Sequence, residues 1–214
     1  MFEKLDENLY AFYSTNYGSN VYLITGKKVT LIDSSLNTSA SYLKESLSAL
    51  GLTEKNIDLV LHTHGHADHI GCSGLFSNES KAMHSHDAKY VNLKDKMFTC
   101  SNILNSSVFP EIDSFLSDSE TIDIYPYSLK VISTPGHTRG SVSFYEKKQG
   151  WLFSGDTLFK DGFGRFDLPT GKKAELMASL KKLKKLKFGL LLPGHGLTSR
   201  EPMKENIANM LKNI

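Results

Sequence analysis

The residues best equipped for chemistry are crowded into one short stretch, Thr63-His64-Gly65-His66-Ala67-Asp68-His69. Four metal-capable side chains fall within six positions. If the stretch continues a strand, His64 and His66 point to the same side, because side chains on extended chain alternate with period two. Asp68 and His69 then follow where the chain bends and can face a neighbouring point. This layout suits two adjacent metal ions, with His64 and His66 on one and Asp68 and His69 on the other. Neutral imidazole and carboxylate are ligands for zinc, and they also suit iron or manganese.

Three further loops offer one metal-capable side chain each, beside a glycine that lets the backbone approach closely. They are Pro135-Gly136-His137-Thr138, Ser154-Gly155-Asp156-Thr157 and Pro193-Gly194-His195-Gly196. Five of the eight histidines lie in these motifs. His62, His84 and His86 match no motif and are read as structural, and Cys72 is read as a small buried residue.

The elements that must position these groups follow from periodicity. Alternating or β-branched runs predict strands over 8–12, 20–25 and 29–32, a helix over 39–50 with Gly51 as its stop, and a strand over 57–61 leading into the histidines. A helix start is expected over 68–76 and a strand over 81–84. The polar segment 87–119, broken by Pro110, reads as helices and loop inserted between two halves. Strands return over 121–125, 129–133, 141–146 and 150–154, then a helix over 173–187, a strand over 189–192 and a closing helix over 200–211. Each of the three single-ligand loops follows a strand, where function concentrates. The lysines of 181–187 alternate with leucines at helical spacing and read as the solvated face of a helix, not a nucleic-acid patch.

Composition bounds the rest. A chain of 214 residues with 40% hydrophobic and 22% charged residues is an ordinary globular protein, large enough to form a core without disulfides or a structural metal. It is read as one domain over 1–214. A net charge of +2 is too small to imply nucleic acid or an acidic membrane as partner. Two cysteines make no disulfide framework. With no signal-like N-terminus and no long apolar run, the cytoplasm is the expected compartment.

The ordered set, H-x-H-x-D-H followed by His137, the Gly155-Asp156 pair and Gly194-His195, resembles the metallo-β-lactamase superfamily, and the likeness extends back to Asp33 in Leu31-Ile32-Asp33-Ser34. The resemblance implies an αβ/βα four-layer sandwich with the site at one edge between the halves. It implies that His64, His66 and His137 hold one divalent ion, that Asp68, His69 and His195 hold a second, and that Asp156 bridges them, the ions being zinc, or iron or manganese. Asp33 then corresponds to an aspartate that orients the ligand loop, although a strand-end turn would also account for it. A hydroxide shared by the two ions is the implied nucleophile, with Asp68 orienting it and moving its proton.

Substrate class is narrowed by departures. Zinc β-lactamases use a cysteine or lack the bridging carboxylate, whereas Asp156 is present here. Homoserine-lactone hydrolases place a tyrosine shortly after that aspartate, where this chain has Asp156-Thr157-Leu158-Phe159. Asp161-Gly162-Phe163-Gly164-Arg165 is similar to the segment of glyoxalase II-like thioesterases, in which a basic residue meets a glutathione carboxylate. Arg165 is therefore a candidate substrate contact, the alternative being a pairing with Asp167. Where glyoxalase II carries a helical extension, a single closing helix is expected after His195. The expectation is a dinuclear hydrolase of a small thioester, of the hydroxyacylglutathione type, or of an ester. A mononuclear iron persulfide dioxygenase, a lactonase, an RNA-processing nuclease or a binding protein are the alternatives. The 87–119 segment is expected near the site, as a lid.

Overall fold

The structure, a computed structural model, describes residues 1–15, 17–76 and 80–212. The first sheet has seven strands in sequence order: β1 (Glu3–Asp6), β2 (Leu9–Phe12), β3 (Val21–Ile24), β4 (Thr30–Ile32), β5 (Leu59–Leu61), β6 (Ser80–His84) and β7 (Ser114–Leu116). β1 to β4 pair antiparallel, and β4 to β7 pair parallel. The second sheet runs β12-β11-β10-β9-β8, built from β8 (Thr121–Ile124), β9 (Tyr127–Ser133), β10 (Val142–Glu146), β11 (Trp151–Gly155) and β12 (Leu190–Pro193). Only β11 and β12 pair parallel in it.

Alternation explains the layering. Tyr22 and Ile24 of β3 enter the core between the sheets, together with Leu129 and Val131 of β9 and Phe153 of β11. Val21 and Leu23 point the other way, onto Leu43 and Leu47 of α1 (Ala40–Ser48). On the far side, Leu152 and Leu191 pack against Leu180 and Leu183 of α4 (Lys173–Leu183) and Ile207 of α5 (Met203–Lys212). The strands are thus buried on both faces, giving helix, sheet, sheet, helix, the four layers expected.

Some stretches differ from their periodicity, among them β1, since no strand is expected before residue 8. The helix expected over 68–76 is one turn, α2 (Ala67–Ile70), followed by a separate 3₁₀ turn at Ser73–Leu75. The 87–119 segment opens with α3 (Ser85–Asn92), runs irregularly, and then adds β7 to the first sheet through Ala82↔Ser114 and His84↔Leu116 pairing. Three residues between Asp113 and Ser117 carry too short a pattern to announce a strand, and the pairing with β6 creates it. No helix among the described residues is long and apolar enough to cross a membrane.

The topology places chemistry at one edge. Parallel strands end on the same side, so Asp33 after β4, His62 to His69 after β5, Asp156 after β11 and His195 after β12 gather there, as ligands do in the crevice beyond strand carboxyl ends. Val142 N–H donates to Thr63 O at 2.8 Å, and Asn20 N–H to Gly194 O at 2.7 Å, joining the two halves beside these residues.

Candidate metal centre

His64, His66 and His69 are almost wholly buried, as is His137. His64 Nε2 and His137 Nε2 lie 3.1 and 3.0 Å from His66 Nδ1, so three imidazole nitrogens converge on one point. Beside them His195 Nε2 is 3.0 Å from Asp68 Oδ2, and His69 Nε2 is 3.8 Å from that oxygen. Asp156 stands between: Oδ1 is 3.3 Å from His69 Nε2, while Oδ2 is 3.6 Å from both His137 Nε2 and His195 Nε2. The groups His64–His66–His137, His64–His69–Asp156 and Asp68–His69–His195 each keep their ligand atoms within 4.8 Å of one another. All seven side chains singled out by sequence therefore meet.

The donor set fits metal ions on physical grounds. His69 Nε2 and Asp156 Oδ1 are buried and have no hydrogen-bond partner. Buried polar atoms are almost always paired, and two facing donors of electron pairs are satisfied by a cation. Oxygen and imidazole nitrogen together suit zinc, iron or manganese.

Supporting hydrogen bonds set which ring nitrogens face inward. Arg165 O can only accept, so His137 Nδ1–H donates to it at 2.7 Å and Nε2 is left as the inward electron pair. Asp33, buried and at φ 58°, accepts from Thr63 N–H and Thr63 Oγ1–H at 2.8 Å each and from His69 Nδ1–H at 2.8 Å. Aspartate tolerates this left-handed backbone better than most residues. Burial pushes the Asp33 carboxyl up, but His69 and His62 outweigh that and hold it at about 2. Burial pushes His69 down, and the carboxylates of Asp33, Asp156 and Asp68 together carry it well above its ordinary value. For His66, burial and then the neighbouring His137 lower it to about 3, which keeps it neutral and able to ligate.

The glycine beside His195 is required by close approach: a Cβ on Gly194 would run into Asp156 Oδ1 and the His69 ring. Asn20 Nδ2–H donates to Pro193 O and Gly196 O at 3.0 and 2.9 Å, and Tyr22 O–H to Pro193 O at 2.7 Å, which stitches the His195 loop to β3.

Sequence reasoning missed Asp87. Fully buried at the start of α3, it accepts from Gly65 N–H (3.1 Å), Gly140 N–H (2.8 Å) and Thr138 Oγ1–H (2.6 Å). One carboxylate thus ties the loop of His64 and His66 to the loop of His137. Its signal was available, an acidic residue just beyond the end of a buried strand. His62 is buried, with Nε2 3.0 Å from Ser73 Oγ and Nδ1 3.8 Å from Asp33 Oδ1, while His84 Nδ1 accepts from His86 N–H at the start of α3. Cys72 is buried, donates to Leu36 O, and its thiol is pushed up to about 12 by burial.

A cavity of about 450 Å³ opens over the cluster, touching His66, Asp68, His137, Asp156 and His195. Among these His195 is the most exposed, with 34% of its side chain accessible. The 87–119 segment reaches the cavity through Cys100, Ile103 and Leu104, anchored by Ala67 N–H donating to Thr99 O at 2.8 Å. Arg165 lines the rim with its guanidinium forked onto Asp167, Nε to Oδ1 at 2.8 Å and Nη2 to Oδ2 at 2.6 Å. Phe159 faces the His195 ring at 6.3 Å between centroids.

Comparison with known proteins agrees with this geometry. The family description "Metallo-beta-lactamase superfamily" matches residues 14–195. A probable metallo-hydrolase of Methanocaldococcus jannaschii is 36% identical over 189 residues, covering 84% of this chain and 88% of its own. Hydroxyacylglutathione hydrolase GloC of Haemophilus influenzae is 32% identical over 151 residues, covering 66% and 69%. Among solved structures, a metallo-beta-lactamase family protein of Thermus thermophilus superposes with TM-score 0.83 at 23% identity, over 98% of this chain and 80% of that one. Another, solved in a di-iron-bound form, gives TM-score 0.75 at 27% identity over 89% and 93%.

Proposed function

The chain belongs to the metallo-β-lactamase superfamily, and on that footing we propose that it is a hydrolase of thioesters that works with two divalent metal ions, zinc by preference. The observation that carries this reading is Asp156, whose Oδ2 lies 3.6 Å from both His137 Nε2 and His195 Nε2, one from each group, with Oδ1 3.3 Å from His69 Nε2. His64, His66 and His137 would hold one ion, Asp68, His69 and His195 the other, with Asp156 shared. A persulfide dioxygenase with a single iron keeps the second group of ligands as well, so metal count and oxygen uptake distinguish the two readings. When bound, such a pair makes water acidic enough to ionise near neutral pH, down to a pKa of about 7, and polarises a carbonyl as a Lewis acid.

The chain's own groups do the rest. Water adds to the acyl carbon, the carbon–sulfur bond breaks, and a carboxylate, a thiol and a proton leave. Asp68 Oδ2 faces the cavity and His195 Nε2, placed to orient the attacking water and take its proton. Asp33 and the Arg165 carbonyl keep the rings of His69 and His137 turned inward, so no reorganisation is needed as charge develops. Similarity to GloC supports thioesters of the hydroxyacylglutathione type as the reference substrate. Phe159 leaves no phenolic hydroxyl at the position expected of a homoserine-lactone hydrolase.

The test is metal analysis of freshly purified protein with S-lactoylglutathione hydrolysis alongside. About two ions per chain with turnover is the expected result, and Asp156→Ala should abolish both. One iron per chain with oxygen uptake on a persulfide would replace this reading with the dioxygenase.

A further inference from the structure

The cavity beside the ligand cluster has walls that the hydrolytic step does not require. Leu104, Phe159 and Leu168 are half-buried around it, and Tyr17 and Ile103 stand at its mouth with 81% and 72% of their surface exposed. Isolated exposed apolar groups are ordinary, but a contiguous set around a concave site marks where an apolar ligand lies.

The same walls are poor in positive charge. Among the described lining residues Arg165 is the single arginine or lysine. Its guanidinium is already forked onto the Asp167 carboxylate by two hydrogen bonds. The pair presents no net charge, and a substrate carboxylate arriving there would have to displace Asp167 from a bidentate contact.

The wall is built into the fold. Ile103 N–H and Leu104 N–H both donate to Cys100 O at 3.1 Å, and the preceding turn is held to the ligand loop through Thr99 O and Ala67 N–H. Ile103 and Leu104 therefore lie on the same short segment that is tied to the chain beside Asp68, and their distance from the scissile bond is set by backbone.

Resting on the thioesterase reading above, we propose that the preferred substrate carries an uncharged, apolar acyl chain of medium length on a neutral thiol, with the chain lying along Leu104, Ile103 and Phe159, in place of the small polar acyl group and charged peptide thiol of S-lactoylglutathione. A substrate of this class exchanges water for the apolar wall and asks nothing of Arg165. Its length selectivity arises from burial, at about fourfold in kcat/KM for each methylene fully covered.

The experiment uses the metal-loaded protein and the acetyl, butanoyl and hexanoyl thioesters of N-acetylcysteamine, with S-lactoylglutathione as the charged comparison. The expected result is a rise in kcat/KM on the order of a hundredfold from acetyl to hexanoyl, with hexanoyl preferred over S-lactoylglutathione. Ile103→Ser and Leu104→Ser should each compress the hexanoyl-to-acetyl ratio by roughly three- to tenfold. Ile103 is exposed, so its variant folds and keeps the test decisive even if the Leu104 variant does not. A flat or falling chain-length series, or S-lactoylglutathione preferred with a loss above about tenfold on Arg165→Ala, overturns the proposal and leaves the thioesterase reading standing. No turnover of any thioester by protein holding two ions per chain overturns the thioesterase reading itself.

Discussion

At the residue scale, the centre depends as much on acceptors that never face a metal as on the ligands. Asp87 is the sharpest case, since its two oxygens collect donors from both histidine loops. Asp87→Asn replaces one accepting oxygen by an amide that must face N–H or O–H donors. A hydrogen bond to a charged group contributes about 1.5–3 kcal/mol, and an unpaired buried donor costs a similar amount. The expected outcome is a loss of about 3 kcal/mol in denaturant unfolding, with weaker retention of the first ion in competition with a chelator. Thr138→Val, which removes one of the three bonds, should show a smaller loss in the same two measurements. A folded Asp87→Asn protein with unchanged metal retention would limit Asp87 to stability alone.

At the element scale, the helices hold the sheets from outside and the strands deliver the ligands. α4 shows the division within one helix: Leu176, Leu180 and Leu183 are buried, the last two against the second sheet, while Lys181 is exposed and Lys182 Nζ donates to Ser133 O. Leu180→Ala leaves a cavity and should lower unfolding free energy by about 2–5 kcal/mol. Lys181→Ala should fall within about 0.5 kcal/mol of the parent. Equal effects of the two, measured by denaturant titration, would mean that the leucine face is not core. The helix also ends at Leu183, short of the 187 at which its lysine-leucine pattern stops. The pattern continues through the turn 184–186, because Leu186 still packs onto the core where the α-helical bonds give way to i→i−3 bonds from Lys185 N–H to Lys182 O and Leu186 N–H to Leu183 O.

At the scale of the molecule, the candidate ligands come from both sheets, so metal bound there would join the two halves. The groups that follow β5, β9, β11 and β12 come close enough to share a cation only in the folded state. Each bound ion present at about a hundred times its dissociation constant adds about 2.7 kcal/mol of stability. Removal of metal by a chelator should therefore lower the thermal midpoint by several degrees, restored by one divalent ion better than by others. An unchanged midpoint in calorimetry on protein shown to have lost its metal would mean that the ions do not bridge the halves.

Much of this was legible in the chain itself. Histidines and aspartates at period-two spacing after an apolar run, and three glycine-flanked metal-capable residues after further runs, announced the layered fold and the side chains that meet at its edge, because strand alternation and ligand chemistry act over a few residues. Other features depended on contacts distant in sequence. β7 exists because β6 offers it a partner, Asp87 matters because two loops far apart in the chain close around it, and the His137 ring is turned by a carbonyl at Arg165. The pairing of Arg165 with Asp167 and the apolar wall from Ile103 and Leu104 were likewise decided by packing. Local pattern determined which residues could do the chemistry, and the tertiary structure determined how they are held and what can approach them, since orientation and access are set by neighbours that sequence separation conceals.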